Sequence, residues 1–236
     1  MAIISKIISL VVSVVMAILN IFGLGGEKRP EFVLGENVNS NVAQVLEVYN
    51  NAVIETDKDA PLVKSGMSLE DLSMGADKAE FTMMMKPIVN DMLKDTVYED
   101  YDIPGKGELK ADDVISAKMS TDEEGLTTVI IEVKGQSDDA NADGENGGPV
   151  SRAMGTAGNI ADVFEESGII SGFENMEITY SDCRIACIID DATGEILYGE
   201  WYHIMSMDMS GLSINIGEEP MTMDGVYVSA GCKFVL

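Results

Sequence analysis

Cys183-Arg184-Ile185-Ala186-Cys187-Ile188-Ile189-Asp190-Asp191-Ala192-Thr193-Gly194-Glu195-Ile196-Leu197-Tyr198-Gly199-Glu200-Trp201-Tyr202 carries two strand-like runs around one turn-forming cluster. Its first seven residues are rich in apolar and β-branched side chains, which suit a pleated, buried strand. Asp190 to Gly194 is a turn-forming cluster, with glycine where a positive φ is needed. Glu195 to Tyr202 resumes the strand pattern, so the stretch predicts a β-hairpin.

Trp201, His203, Met205, Met207 and Met209 alternate with Tyr202, Ile204, Ser206 and Asp208. The two-residue period puts the first set on one strand face and the second on the other. Upstream, Met176, Ile178 and Tyr180 share one parity, whereas Cys183, Ile185, Cys187 and Ile189 have the opposite one. A one-residue slip sends every side chain to the other face, so Ser181-Asp182 must hold a bulge or a turn. In the tail, Val226, Val228, Ala230, Cys232, Phe234 and Leu236 share a face. The sequence given therefore ends within a strand, and loss of that tail predicts a folding defect.

At the other end, Ile7 to Gly26 reads IISLVVSVVMAILNIFGLGG, without a charged side chain. As a helix it spans about 30 Å, the thickness of a bilayer core, and Lys6 with the amino terminus forms its positive flank. Residues 1–26 are thus expected to be a transmembrane anchor or a signal segment, with Gly23-Leu24-Gly25 as a small-x-small cleavage site in the second case. Ser9, Ser13 and Ala17 recur every four residues, a spacing that permits helix packing and also arises by chance. Residues 27–40 read as a polar linker, and 41–236 as one extracytoplasmic domain.

Within that domain, Val42, Val45, Leu46, Tyr49, Ala52 and Val53 recur at helical spacing, with Ser40 available as the cap. Ser68-Leu69-Glu70-Asp71 resembles a second helix start. Ala79 to Val97 predicts a Met-rich helix that Pro87 starts or kinks. Tyr98 to Leu109 reads as a loop. Val114–Ser120 and Thr127–Lys134, flanking Thr121-Asp122-Glu123-Glu124-Gly125, predict a second hairpin. Gln136 to Pro149 reads as a flexible loop, and Thr156 to Ser167 as a short helix closed by Gly168. Helices, a hairpin, a helix and then strands make an α+β fold, with helices covering one face of an antiparallel sheet.

The chain carries 41 acidic and 15 basic side chains, a formal charge of −26. Such a surface repels phosphate backbones, so nucleic acid is excluded as a partner. The acidity keeps a domain soluble, and it also attracts cations and basic partners. Three cysteines are an odd number. Cys183 and Cys187 share a strand face about 13 Å apart, too far to bond to each other. Either is free to pair with Cys232, and buried free thiols are the alternative. No CxxC or Cys/His metal spacing occurs, which leaves zinc without a site.

Asp139-x-Asn141-x-Asp143-Gly144 matches the first half of a calcium-binding loop, in which alternate oxygens converge on one cation. The match stops there, because Val150 stands at the position of the bidentate Glu. Asp139, Asn141 and Asp143 are therefore calcium candidates against the plainer reading of a solvated acidic loop. His203 is the only histidine, and no GxSxG, GxGxxG or GxxxxGK[ST] motif is present. No catalytic residue is assigned. The Trp201, His203, Met205 and Met207 face is the candidate for an apolar ligand if it lines a gap, and plain core if it meets helices.

The run NMEITYSDCRIACIIDDATGEILYGEWYHIMSMDMSGLSINI, with IADVFEESGI placed before it, resembles a group of uncharacterised envelope-attached proteins of clostridial gut bacteria. The resemblance covers residues 110–236 and rests on a strand–DxxTG–strand pattern. These proteins are similar to LolA-like half-barrels, in which a curved antiparallel sheet wraps around helices and encloses a lipid. The resemblance implies a half-barrel-like sheet and an extracytoplasmic place. It transfers no ligand residue, and the apolar segment stands where its members carry a lipidated cysteine. The expectation is a non-catalytic binding domain at the cell membrane, held through residues 7–26, or secreted if the leader is cleaved. Its ligand would be apolar or a lipid; the alternative is a structural or partner-binding surface protein.

Overall fold

The structure, a computed structural model, describes residues 31–75, 79–94, 98–100, 102–142, 147–158, 170–171, 176–215, 220–223 and 225–236. In chain order the elements are α1 (Val42–Asp57), β1 (Val63–Met74), α2 (Ala79–Lys94), β2 (Tyr98–Asp100), a 3-10 turn (Ala111–Asp113), β3 (Val114–Thr121), β4 (Leu126–Val133), β5 (Gln136–Asp139) and α3 (Pro149–Met154). They continue with β6 (Ile170–Ser171), β7 (Glu177–Asp190), β8 (Ile196–Met209), β9 (Leu212–Asn215), β10 (Pro220–Met223) and β11 (Val226–Val235). The chain is α+β. The main sheet is open and antiparallel, in the order β2-β1-β11-β8-β7-β4-β3, with β5 also paired to β7. A small second sheet runs β10-β9-β6.

The expected hairpin is the longest pairing, β7 on β8, with Ile185 opposite Trp201 and Ile189 opposite Ile196. Gly194 sits at φ 79 in its turn and donates its N–H to the Asp190 carbonyl at 2.7 Å. The parity break is a bulge. Ser181 pairs with Ile204 and Arg184 with Tyr202, so two residues of β7 face one of β8. Asp182 absorbs the extra length at φ 51, a left-handed conformation that Asp tolerates better than branched residues. Tyr180 and Cys183, on either side, both turn inward and are buried. On the other flank of β7 the partner changes at the same level, from β5 to β4. Gly135 makes that junction, where a Cβ would lie 2.7 Å from the Tyr180 carbonyl oxygen.

The tail forms β11, an interior strand between β1 and β8. Val226, Val228, Ala230 and Cys232 are buried and Phe234 and Leu236 partly buried on the expected face, while Ser229 of the opposite parity is buried as well. Helix α1 buries Val45, Leu46, Tyr49, Ala52 and Val53 in the same core. Its cap is Asn41, whose side chain accepts from the Gln44 N–H, not Ser40. One turn of α3 adds Val150, Ala153 and Met154 to the core.

Several expectations are corrected. Ser68 to Asp71 lies within strand β1, where pairing with β11 overrides a local capping pattern. Tyr98–Asp100, read as loop, is the edge strand β2. Gln136–Asp139, also read as loop, pairs with Glu177–Tyr180 as β5, because a neighbouring strand supplies the ladder that its polar side chains do not advertise. Pro149–Met154 is a helix with proline in its first turn, a position where the missing N–H costs nothing. Of the two places expected for Pro87, the interior of the helix is the one found, since α2 begins at Ala79. Residues 156–158 are not helical, and 159–169 lie outside the described residues. The apolar segment 7–26, expected as an N-terminal helix and anchor, lies outside them too. Among the described residues no helix is long and apolar enough to cross a membrane.

Candidate functional site

The strand face singled out from sequence is core. Trp201, His203, Met205 and Met207 are 0%, 1%, 1% and 1% exposed, which leaves none of them open to a ligand from solvent. Trp201 donates its indole N–H to the Tyr49 hydroxyl of α1 at 2.8 Å. His203 sits with Nδ1 3.1 Å from the Met154 sulfur, edge-on to Tyr180 and 6.2 Å from the Phe234 ring. Burial pushes its pKa down to about 4, so the imidazole is neutral near pH 7.

The three cysteines are free and buried. Burial, with the Asp182 carboxylate adding to it, pushes the Cys183 thiol up to about 12, and burial raises Cys187 and Cys232 as well. All three are held as thiols, the weakly nucleophilic form. Asp139 and Asn141 meet locally, the Asn141 N–H donating to Asp139 Oδ1 at 2.8 Å, while Asp143 lies outside the described residues. Among the described residues no group of three or more His, Cys, Asp or Glu converges as a metal site would.

One buried ion pair braces the base of β3. Arg152 donates from Nε to Asp113 Oδ2 at 2.8 Å and from Nη2 to Asp113 Oδ1. Burial by itself would raise the Asp113 carboxyl, but the hydrogen bonds from Arg152 and from the Lys110 N–H hold it below the ordinary carboxylate value. The pair joins α3 to the 3-10 turn and is structural in its geometry.

A cleft of about 500 Å³ opens elsewhere, between α1 and the tips of the β3–β4 and β7–β8 hairpins. Its apolar lining is Val48 and Ala52 of α1, Met119 of β3 and Ile189 of β7. Its polar lining is Asn51 and Glu55 of α1, Thr121 and Thr127, and Asp191 and Thr193 of the β7–β8 turn. None of the strand-face candidates reaches it.

Hydrogen bonds pin the three walls to one another. Thr56 Oγ1 donates to the Ala52 carbonyl and accepts from the Ile196 N–H, both at 2.7 Å, which ties the end of α1 to the start of β8. The Asp191 N–H donates to the Gly125 carbonyl at 3.0 Å, joining the two hairpin tips. Thr127 Oγ1 donates to Asp191 Oδ1 at 2.6 Å. Thr121 Oγ1 lies 2.7 Å from Thr127 Oγ1 and must be the donor there, because Thr127 has a single proton and gives it to the carboxylate. The relay Thr121→Thr127→Asp191 runs along one wall. Among the described residues, no hydrogen bond is made to Asp191 Oδ2.

Each turn is also internally fixed. Asp122 Oδ1 accepts from the N–H groups of Glu124 and Leu126, both at 2.9 Å. Asp190 Oδ1 accepts from the Ala192 N–H at 2.8 Å. The cleft is thus preformed rather than dependent on ordering a loop. Sequence reading missed it because its residues come from three segments joined only by the fold. The available signal was the pair of Asp- and Gly-bearing turns, which identify the hairpins but not that their tips meet. No protein family, curated protein or solved structure matches the chain.

Proposed function

We propose that this protein is a non-catalytic binding domain, carried outside the cell membrane on its apolar segment 7–26, with the cleft between α1 and the two hairpin tips as its binding surface. The observation that carries this reading is the pinning of all three cleft walls by the Thr56–Ile196, Asp191–Gly125 and Thr127–Asp191 hydrogen bonds. A preformed concavity with an apolar floor and a few placed polar groups is how small-molecule sites are built. Support for a wholly apolar or lipid ligand on the Trp201–Met207 face is weaker, since the protein's own side chains fill that face. A half-barrel-like curvature, and with it kinship to LolA-like domains, belongs to the same proposal. The bulges at Asp182 and beside Glu70 support it, because bulges bend and twist the strands that carry them.

Two measurements test this reading. Protease added to intact cells making the full chain is expected to cut the domain; full protection until lysis would overturn the placement. A fragment library followed by amide chemical shifts is expected to move Asn51, Thr121, Asp191 and Gly194 together. A library that leaves them all unmoved would overturn the cleft as a binding surface.

A second reading, a structural or partner-binding surface protein, is favoured by Met83 and Met84, which are 69% and 45% exposed on α2. Crosslinking on cells distinguishes it, since this reading requires a defined protein adduct through that helix.

A further inference from the structure

We infer that the cleft takes a small organic amine, its ammonium held by Glu55 and Asp191 and its apolar body lying on Val48, Met119 and Ile189. The inference rests on the cleft being the binding surface proposed above and adds the chemistry of the ligand.

Among the described residues the two ionisable side chains of the lining are both carboxylates, and no lysine or arginine lines the cleft. Asp122, Glu123 and Glu124 lie in the adjacent turn, and the whole chain carries −26. A concave site of one sign with low-dielectric walls concentrates counter-ions and repels like charge, so anions are excluded. The remaining polar lining adds acceptors: the hydroxyls of Thr121 and Thr193 and the amide oxygen of Asn51. An ammonium offers three donors and no acceptor, which matches such a wall.

A metal ion fits less well. Calcium requires six to eight oxygen ligands, roughly, and carboxylates in convergence. Among the described residues no third acidic side chain joins a metal-type cluster. An ammonium needs only one carboxylate and one or two neutral acceptors. The four apolar lining residues would be idle under a bare cation, but they suit a carbon skeleton. The cleft's size lies within the range of small-molecule sites, which is about 300–1,000 Å³.

One carboxylate of the lining already pairs with an amine of the chain itself. Lys58 Nζ forms an ion pair with Glu55 Oε2 just beyond the end of α1. Both side chains are substantially exposed, 60% and 44%, so the contact is weak and readily exchanged. A ligand ammonium competes with Lys58 for that carboxylate. Removing the lysine should therefore tighten binding, an effect that a general loss of positive charge on a distant surface would not produce.

The test uses the full chain and benzylamine as probe, with benzyl alcohol and benzoate as neutral and anionic counterparts, followed by calorimetry and amide shifts. Benzylamine is expected to shift Thr121, Thr127, Asp191 and Gly194, with benzyl alcohol and benzoate weaker by about tenfold or more, the loss expected for one charge-assisted contact. Asp191→Asn keeps an oxygen to accept from Thr127 and is expected to weaken benzylamine about tenfold, whereas Lys58→Gln strengthens it severalfold. Asp208→Asn, at the far end of β8 from the turn, should change nothing. Equal losses in Asp191→Asn and Asp208→Asn would assign the binding to diffuse surface charge and overturn the inference. Benzyl alcohol binding in the cleft as tightly as benzylamine would overturn the amine while leaving a binding cleft. No shift in the cleft with any of the three probes, alongside an unproductive fragment library, would overturn both.

Discussion

Trp201 of β8 and Tyr49 of α1, 152 residues apart in the chain, meet through an indole N–H to phenol hydrogen bond of 2.8 Å, with both side chains buried. This contact joins the main helix to the centre of the sheet. It also explains how a tryptophan with a polar edge sits fully inside an otherwise apolar core.

Tyr49→Phe keeps the ring and removes the acceptor, leaving the indole N–H buried without its partner. An orphaned buried donor costs about 1–3 kcal/mol. In a domain of this size that corresponds to a fall in Tm of roughly 2–12 °C. Trp201 is the only tryptophan, so its emission reports on this bond directly and should shift to the blue. Unchanged stability together with an unchanged spectrum would mean the bond is not made in solution.

Gly199 gives a second handle on the same ring. A Cβ placed there would lie 2.3 Å from Trp201 Cη2 and 2.5 Å from Cζ3, inside any real contact distance. The indole lies over the glycine, and neither has room to retreat within a packed core. Gly199→Ala is therefore expected to destabilise by about 1–3 kcal/mol, the usual penalty for overpacking. Urea unfolding checks this, with Gly125→Ala for comparison. Gly125 has an unobstructed Cβ position, so its penalty comes from the positive φ of 80 alone. A benign Gly199→Ala would show that the indole does not lie where it is described.

The strand elements were legible because their pattern and their burial have one cause. Ile185, Cys187 and Ile189 alternate in sequence since alternate side chains face the core, and the parity break at Ser181-Asp182 survives as a bulge because both flanking strands are buried on one side. The core character of Trp201 and His203 was legible only as a choice between a gap and a helix; Tyr49 and Met154 decide it by contact. β5 was not legible, since Gln136 to Asp139 owes its extension to a partner strand rather than to its own side chains. The cleft was not legible either. Glu55, Thr127 and Asp191 are ordinary surface-type residues in sequence, and only sheet order brings the two turns under the end of α1.

Removing residues 226–236 should abolish folding rather than trim it. β11 is an interior strand that pairs with β1 on one side and β8 on the other. Its loss exposes two ladder edges and uncovers Met205 and Met207 beside the missing Ala230 and Val228. The truncated chain is expected to show no cooperative thermal transition by circular dichroism. A cooperative transition near that of the full chain would contradict the sheet order.

His203 makes stability depend on pH in a definite direction. Its folded pKa is about 4, lowered by burial from the ordinary 6.5. Between these values the unfolded chain binds a proton that the folded chain refuses, so unfolding takes up a proton and stability rises with pH. The contribution is complete above about pH 7 and is lost as pH falls from 6.5 toward 4, at about 1.4 kcal/mol per unit of difference. Burial is the cause of the shift, and the described neighbours bring no negative charge near pH 7: Tyr180 and Phe234 are uncharged, Met154 offers a sulfur, and Cys232, opposite on β11, is held as a thiol. Asp113 acts in the same sense but in a lower window. Its pKa is held below the ordinary 3.8, so its contribution is lost only as pH drops through that more acidic range. Urea titrations at pH 7.5 and 4.5 should therefore show the native chain losing about 2–3 kcal/mol more than His203→Phe or His203→Gln, whatever the stability of each variant at pH 7.5. Equal losses in all three proteins would mean that the imidazole is not buried as described, and the packing of Met154 and Phe234 around it would have to be reassigned.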